Sequence, residues 1–148
     1  MGIIEDIGPG PVCLDTSVFI YFIEEDKRYI DIVSQIFEAI DVGIFTAVTS
    51  GITLLETLVI PLRNKDVTLA LQYEQLLSES RGLTLLDLDR NLLCKASALR
   101  ADLNIKTPDA LQIAAAKQEK CTAFVTNDRR LPKIAGLAVL QLSDYSMG

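Results

Sequence analysis

The sequence predicts an α/β domain with a central sheet of parallel strands and helices on both faces. Three observations carry this. The strand candidates Val12–Leu14, Leu83–Leu86 and Ala123–Val125 are short, and none shows strict apolar–polar alternation. Strands of that kind belong to sheets covered on both sides. Stretches with helical spacing separate them, which is the pattern of a parallel sheet joined by crossover helices. Finally, 148 residues without repeats, low-complexity tracts or linkers suit one domain around one core.

In chain order, Met1–Pro11 forms a lead that ends in Gly8-Pro9-Gly10-Pro11, and the domain proper runs over 12–148. Val12–Leu14 is the first strand and ends at Asp15. Ser17–Glu24 reads as a helix. Tyr29–Ile40 reads as another, with Ile30, Val33, Ile36, Phe37 and Ile40 at helical spacing. Ile44–Val48 is rich in β-formers. Ser50–Ile60 follows as an apolar helix capped by Ser50 and stopped near Pro61, and Lys65–Glu79 as an amphipathic one. Leu83–Leu86 is a strand, and Arg90–Leu103 a helix with Asp89 as its N-cap. Thr107-Pro108 opens a helix to Gln118, with Thr as cap and Pro at the first helical position. Ala123–Val125, a helical turn and a last strand over Ala138–Leu142 complete the order.

Composition excludes several chemistries. The chain has no histidine, which removes histidine-based nucleophilic catalysis and most transition-metal sites. Carboxylates with hard cations remain as hydrolytic apparatus. Cys13, Cys94 and Cys121 are odd in number and form no CxxC pair, so they read as reduced thiols of a cytoplasmic protein. The net charge of −6 argues against a protein that coats nucleic acid, although an acidic metal site supplies part of that charge itself. No stretch approaches the ~20 apolar residues of a membrane helix.

Four acids stand out, and three have ordinary explanations. Asp15 suits a helix N-cap, Asp109 a first-turn acid favoured by the helix dipole, and Asp128 a turn cap. Glu56 is harder to explain. Its neighbours Ile52, Leu54, Leu55, Leu58, Val59 and Ile60 make the helix apolar almost all round, and Thr53, Glu56 and Thr57 form its single polar stripe. Such a helix is expected to be largely buried, with the stripe either solvated, tied in a salt bridge, or functional. Asp15 and Asp128 fall at strand C-terminal ends, where α/β sheets bind ligands. Folded as a parallel sheet, all four acids can meet at one edge, where a hard cation would offset their mutual repulsion.

Leu14-Asp15-Thr16-Ser17-Val18-Phe19-Ile20 resembles the opening motif of the PIN-domain family. The glutamate of Ser50…Glu56, the stretch Pro108–Ala114, and Phe124–Leu131 resemble its second, third and fourth acidic motifs, in order, over Val12 to about Leu142. The resemblance implies a metal-dependent ribonuclease fold, most similar to VapC-type toxins of toxin–antitoxin pairs. It implies Mg²⁺ or Mn²⁺ held by Asp15, Glu56, Asp109 and Asp128, with Thr16, Ser17 and Thr126 as supporting hydroxyls. It also implies a homodimer and a small antitoxin as partners. The chain departs from compact relatives in its longer lead and its acidic balance.

On this reading the reaction is hydrolysis of an RNA phosphodiester, and Lys106, Arg129 and Arg130 are the candidates for phosphate contacts. Two alternatives stay within the family: an RNA-processing nuclease outside any toxin–antitoxin pair, and a catalytically silent binding module. Two others fail on residues. A haloacid-dehalogenase-like phosphatase needs a second Asp where Ser17 stands, and a receiver domain needs a Lys near Leu140-Gln141-Leu142.

Overall fold

The computed structural model describes residues 2–146. It contains a five-stranded sheet built from β1 (Val12–Leu14), β2 (Ala47–Ser50), β3 (Leu83–Leu86), β4 (Ala123–Thr126) and β5 (Ala138–Gln141). All paired neighbours run parallel, in the order β3-β2-β1-β4-β5. The helices are α1 (Ile3–Ile7), α2 (Thr16–Ile23), α3 (Ile30–Asp41), α4 (Ile52–Arg63), α5 (Val67–Glu79), α6 (Arg90–Leu103) and α7 (Thr107–Gln118), with a 3₁₀ turn at Leu142–Asp144.

Side chains of a strand alternate between faces, and here that alternation divides the core. Val12 and Leu14 of β1 join Ala123 and Val125 of β4 in one cluster with Phe19 of α2, Val33 and Ile36 of α3, and Leu77 of α5. Cys13 and Phe124, one residue out of phase, face a second cluster with Leu92 and Ala96 of α6 and Ala110, Leu111 and Ile113–Ala116 of α7. The expected α/β architecture with two covered faces is what the chain adopts. The lead contributes as well: Ile3 and Ile7 of α1 are buried in the first cluster.

The strand order positions the site. From β1 the chain steps outward through β2 to β3, then returns across the sheet to place β4 on the other side of β1. The gap between the C-terminal ends of β1 and β4 is therefore the point where the winding reverses, the usual ligand crevice of open α/β sheets.

Some boundaries differ from the sequence expectation, each for a local reason. The strand expected at Ile44–Val48 enters the sheet only at Ala47, which pairs with Val12, and it continues through Ser50, which pairs with Leu86. Ser50 is thus the last strand residue, and Gly51 occupies the N-cap position of α4. Pro61 does not stop α4, which runs on to Arg63. A proline this close to the helix end forfeits only one of the last hydrogen bonds. At the start of α7, Lys106 is the N-cap and Thr107 is already helical, with Pro108 after it.

The larger departure is α4. The expected burial of its apolar surface is inverted. Thr53 and Thr57 are 0% and 2% exposed, whereas Leu55, Ile60 and Leu62 are each more than half exposed. Val67 and Leu71 of α5, which packs against α4, are also exposed.

Candidate metal centre

Each of the four acids reaches the switch point from a different element. Asp15 follows β1 and caps α2, accepting the Thr16 backbone N–H at 2.8 Å. Its other carboxylate oxygen accepts the Thr126 hydroxyl at 2.7 Å. Thr126, fully buried at the end of β4, also accepts the Asp128 backbone N–H at 3.1 Å. One hydroxyl thereby holds the first acid and the loop bearing the fourth. Glu56 projects from α4 and accepts the Thr16 hydroxyl at 2.7 Å. Asp109 stands in the first turn of α7. Asp15, Glu56, Asp109 and Asp128 line a single cleft together with Thr16, Ser17, Lys106 and Arg130.

Crowding leaves an electrostatic signature. Asp109 is pushed up to about 6, first by burial and then by repulsion from Asp15 and Asp128, against the pull of Arg130. Asp15 is also raised, chiefly by burial, although its hydrogen bonds from Thr126 and Thr16 oppose this. Asp128 is lowered because Arg130 holds it: Nε donates to one carboxylate oxygen at 3.0 Å and Nη2 to the other at 3.3 Å.

Of the three cations expected near the acids, Lys106 and Arg130 line the cleft. Arg129 turns elsewhere and donates to Ser143 Oγ at 2.7 Å and to Asp144. Asp87 and Asp89 are exposed, and Asp89 caps α6 through Leu92 N–H at 2.8 Å.

The donors suit a hard divalent cation: carboxylate oxygens, hydroxyls and no sulfur or imidazole. The Ser17 hydroxyl oxygen, buried at the cleft, has no hydrogen-bond partner among the described residues, so it is free to bond a ligand or its water. As placed, the acids share the cleft without closing on one point, and among the described residues no three potential ligands surround a common ion position. Asp128, drawn to Arg130, is the member held by a competing partner.

Not singled out in the sequence is a buried polar cluster beneath these acids. It consists of Gln112 of α7, Thr49 of β2 and Thr53 of α4, all 0–1% exposed. The available signal was Gln112 itself, the one polar residue in the otherwise apolar run Ala110–Ala116.

The family model of the PIN domain matches residues 12–137. The chain belongs to the PIN-domain family. No curated protein sequence matches it. Several solved structures share its fold. VapBC2 from Rickettsia felis, bound to a DNA fragment from its promoter, is 20% identical with TM-score 0.68, over 88% of this chain and 97% of that one. VapBC from Salmonella typhimurium, also DNA-bound, is 22% identical with TM-score 0.62, over 88% and 97%. VapC20 of Mycobacterium tuberculosis, a toxin that cleaves the sarcin–ricin loop, is 14% identical with TM-score 0.63, over 77% and 87%. At these identities the likeness speaks for the PIN fold. Among the described residues, no helix is long and apolar enough to cross a membrane.

Proposed function

We propose that this PIN domain is a Mg²⁺- or Mn²⁺-dependent endoribonuclease and the toxin of a toxin–antitoxin pair. The observation that carries the reading is the meeting of four carboxylates from four elements in one cleft at the β1/β4 switch point, where Asp15 and Asp109 are raised by burial and mutual repulsion. Repelling acids in a half-buried cleft are stabilised by a divalent cation. Asp15, Asp109 and Asp128 would hold it with help from Glu56, and Thr16, Ser17 and Thr126 would steady them. When bound, the cation supplies Lewis acidity toward the scissile phosphodiester and the attacking water. Asp109 is the carboxylate best poised to take up a proton near neutrality. Lys106 and Arg130 meet the phosphate at the cleft rim.

The toxin role draws on the solved neighbours, several of which are toxin–antitoxin complexes. It also draws on the exposed Leu55, Val59, Ile60 and Leu62 on α4 with Val67 and Leu71 on α5. Exposed apolar side chains gathered on two packed helices suit an interface, and a second copy of the chain or a small antitoxin would cover them. An antitoxin Arg or Lys placed among the acids would be held by charge-assisted bonds.

The deciving experiment for the activity is cleavage of RNA by the purified protein with Mn²⁺, with Mg²⁺ and with EDTA, beside a folded Asp109→Asn variant. Cleavage that requires the ion and Asp109 supports the proposal, and ion-independent or absent cleavage removes it. Light scattering, followed by co-purification with the product of the adjacent reading frame, tests the partners. A monomer that binds no such product and does not arrest growth removes the toxin role alone.

A further inference from the structure

Beneath the acids lies a buried hydrogen-bond cluster that joins Gln112, Ser50, Thr49 and Thr53. Gln112 Oε1 lies 3.1 Å from the Ser50 backbone N–H, which can only donate, so the Gln112 amide nitrogen faces Thr53 and donates to its hydroxyl at 2.8 Å. The Thr49 hydroxyl faces two atoms that can only accept, the Leu14 carbonyl at 2.8 Å and Gln112 Oε1 at 3.4 Å, and these take its one proton. The 2.7 Å contact between Thr49 and Thr53 must then carry the Thr53 proton toward Thr49. Thr53, 3.2 Å from the Thr16 hydroxyl, has no proton left for it and presents only a lone pair. Thr16 spends its one proton on the Glu56 carboxylate at 2.7 Å, so its contact with Thr53 carries no proton.

The positions of these residues along their helices matter as much as the protons. Glu56 lies three residues after Thr53 on α4, and Asp109 three residues before Gln112 on α7, so each acid stands one helical turn from its polar partner. The Gln112–Thr53 bond crosses from α7 to α4, and the Gln112–Ser50 bond from α7 to the end of β2.

We infer that Gln112 and Thr53 are positioning residues of the cleft: they form a buried crossbar that fixes the helix bearing Asp109 against the helix bearing Glu56. Neither touches the substrate or the ion. A glutamine buried to 1% exposure in an alanine-rich helix has its amide satisfied by bonds that no apolar residue of its size could make. This inference rests on the nuclease reading for its catalytic consequence, but not for its geometry.

The test uses the full chain and near-isosteric variants. Thr53→Val and Gln112→Met remove the bonds while keeping volume, and Thr53→Ser restores the hydroxyl. Thr57→Val is the control: Thr57 is equally buried on the same helix, but its hydroxyl bonds only the Leu54 carbonyl of that helix. Mn²⁺ affinity by electron paramagnetic resonance should weaken roughly 10–100-fold in Thr53→Val and Gln112→Met, as for other residues that orient metal ligands. kcat should fall with it, while KM for RNA stays near its original value. The double variant should lose less than the product of the two single effects, because both remove the same bond. Thr53→Ser and Thr57→Val should behave as the parent chain. In the ion-free protein, the Glu56 carboxyl carbon resonance should move in Thr53→Val and not in Thr57→Val.

If Thr53→Val matches Thr57→Val in affinity, kcat and the Glu56 resonance, the crossbar is overturned while the nuclease reading stands. If the parent chain neither binds Mn²⁺ nor cuts RNA, the nuclease reading fails, and the ion-free Glu56 resonance alone decides the crossbar. If Gln112→Met does not fold, the Thr53 pair with its control carries the test.

Discussion

Asp109→Asn should make the ion-free protein more stable at neutral pH while abolishing cleavage. An ordinary aspartate ionises near 3.8, and Asp109 does so at about 6 because burial and the charges of Asp15 and Asp128 oppose its ionised form. That difference corresponds to roughly 3 kcal/mol against the charged folded state. Asp109 is only half-buried, so solvent screening reduces it to about 1–2 kcal/mol. Below about pH 4 the group is protonated in folded and unfolded chains alike, and the penalty is absent. As pH rises through about 6, the folded state holds a proton that the unfolded state has already released, so stability falls. Asparagine removes this slope, because it is neutral throughout. Asp15, also raised, adds to the slope in both proteins, whereas Asp128, lowered by Arg130, matters only at more acid pH and with the opposite sign. The assay is thermal melting in EDTA over a pH series. The variant should match the parent near pH 4 and melt roughly 2–8 °C higher at pH 7, given the usual scaling for a domain of about this size. Parallel pH profiles for the two proteins would refute the claim that repulsion is stored in this cleft.

Other expectations follow from the same geometry. Mn²⁺ or Mg²⁺ should raise the melting temperature by binding the folded state, and Asp15→Asn should shrink that rise; an unchanged rise would remove Asp15 from the ion's ligands. Asp89→Ala should cost about 0.5–2 kcal/mol in denaturant unfolding through the lost α6 cap, with cleavage per folded molecule unaltered. Arg130→Met should raise KM for RNA, whereas Arg129→Met should leave it near the parent value, because only Arg130 lines the cleft; equal KM values for the two variants would contradict this assignment. Replacing Leu55 and Ile60 by serine should leave the melting temperature nearly unchanged but weaken any self-association or antitoxin capture measured by light scattering and co-purification.

How far the sequence could be read depended on whether the deciding contacts were local. Asp89 as the cap of α6 and the strand Leu83–Leu86 were legible because cap chemistry and strand composition act within a few residues. Asp15 shows why single motifs are ambiguous: it does cap α2, as its ordinary explanation held, and it also faces the cleft. The orientation of α4 was not legible. Counting apolar neighbours predicts that Leu55 and Ile60 turn inward, yet Thr53 and Thr57 are the buried residues. Partners from distant parts of the chain help decide this: Gln112, Thr49 and Thr16 give Thr53 a bonded place in the interior, and two of the three lie dozens of positions away. Arg129 and Arg130 were indistinguishable as adjacent cations until Ser143 and Asp144, brought in by the turn after β5, took up the first.

The strand order also constrains when the cleft can exist. β4 sits next to β1 in the sheet, but it is synthesised after β2, β3 and all seven helices. Until residues 123–128 emerge, Asp15 lacks the Thr126 hydroxyl, the loop carrying Asp128 is missing, and one edge of β1 is unpaired. A growing chain therefore cannot assemble the four-acid cleft while its fourth strand is still being made.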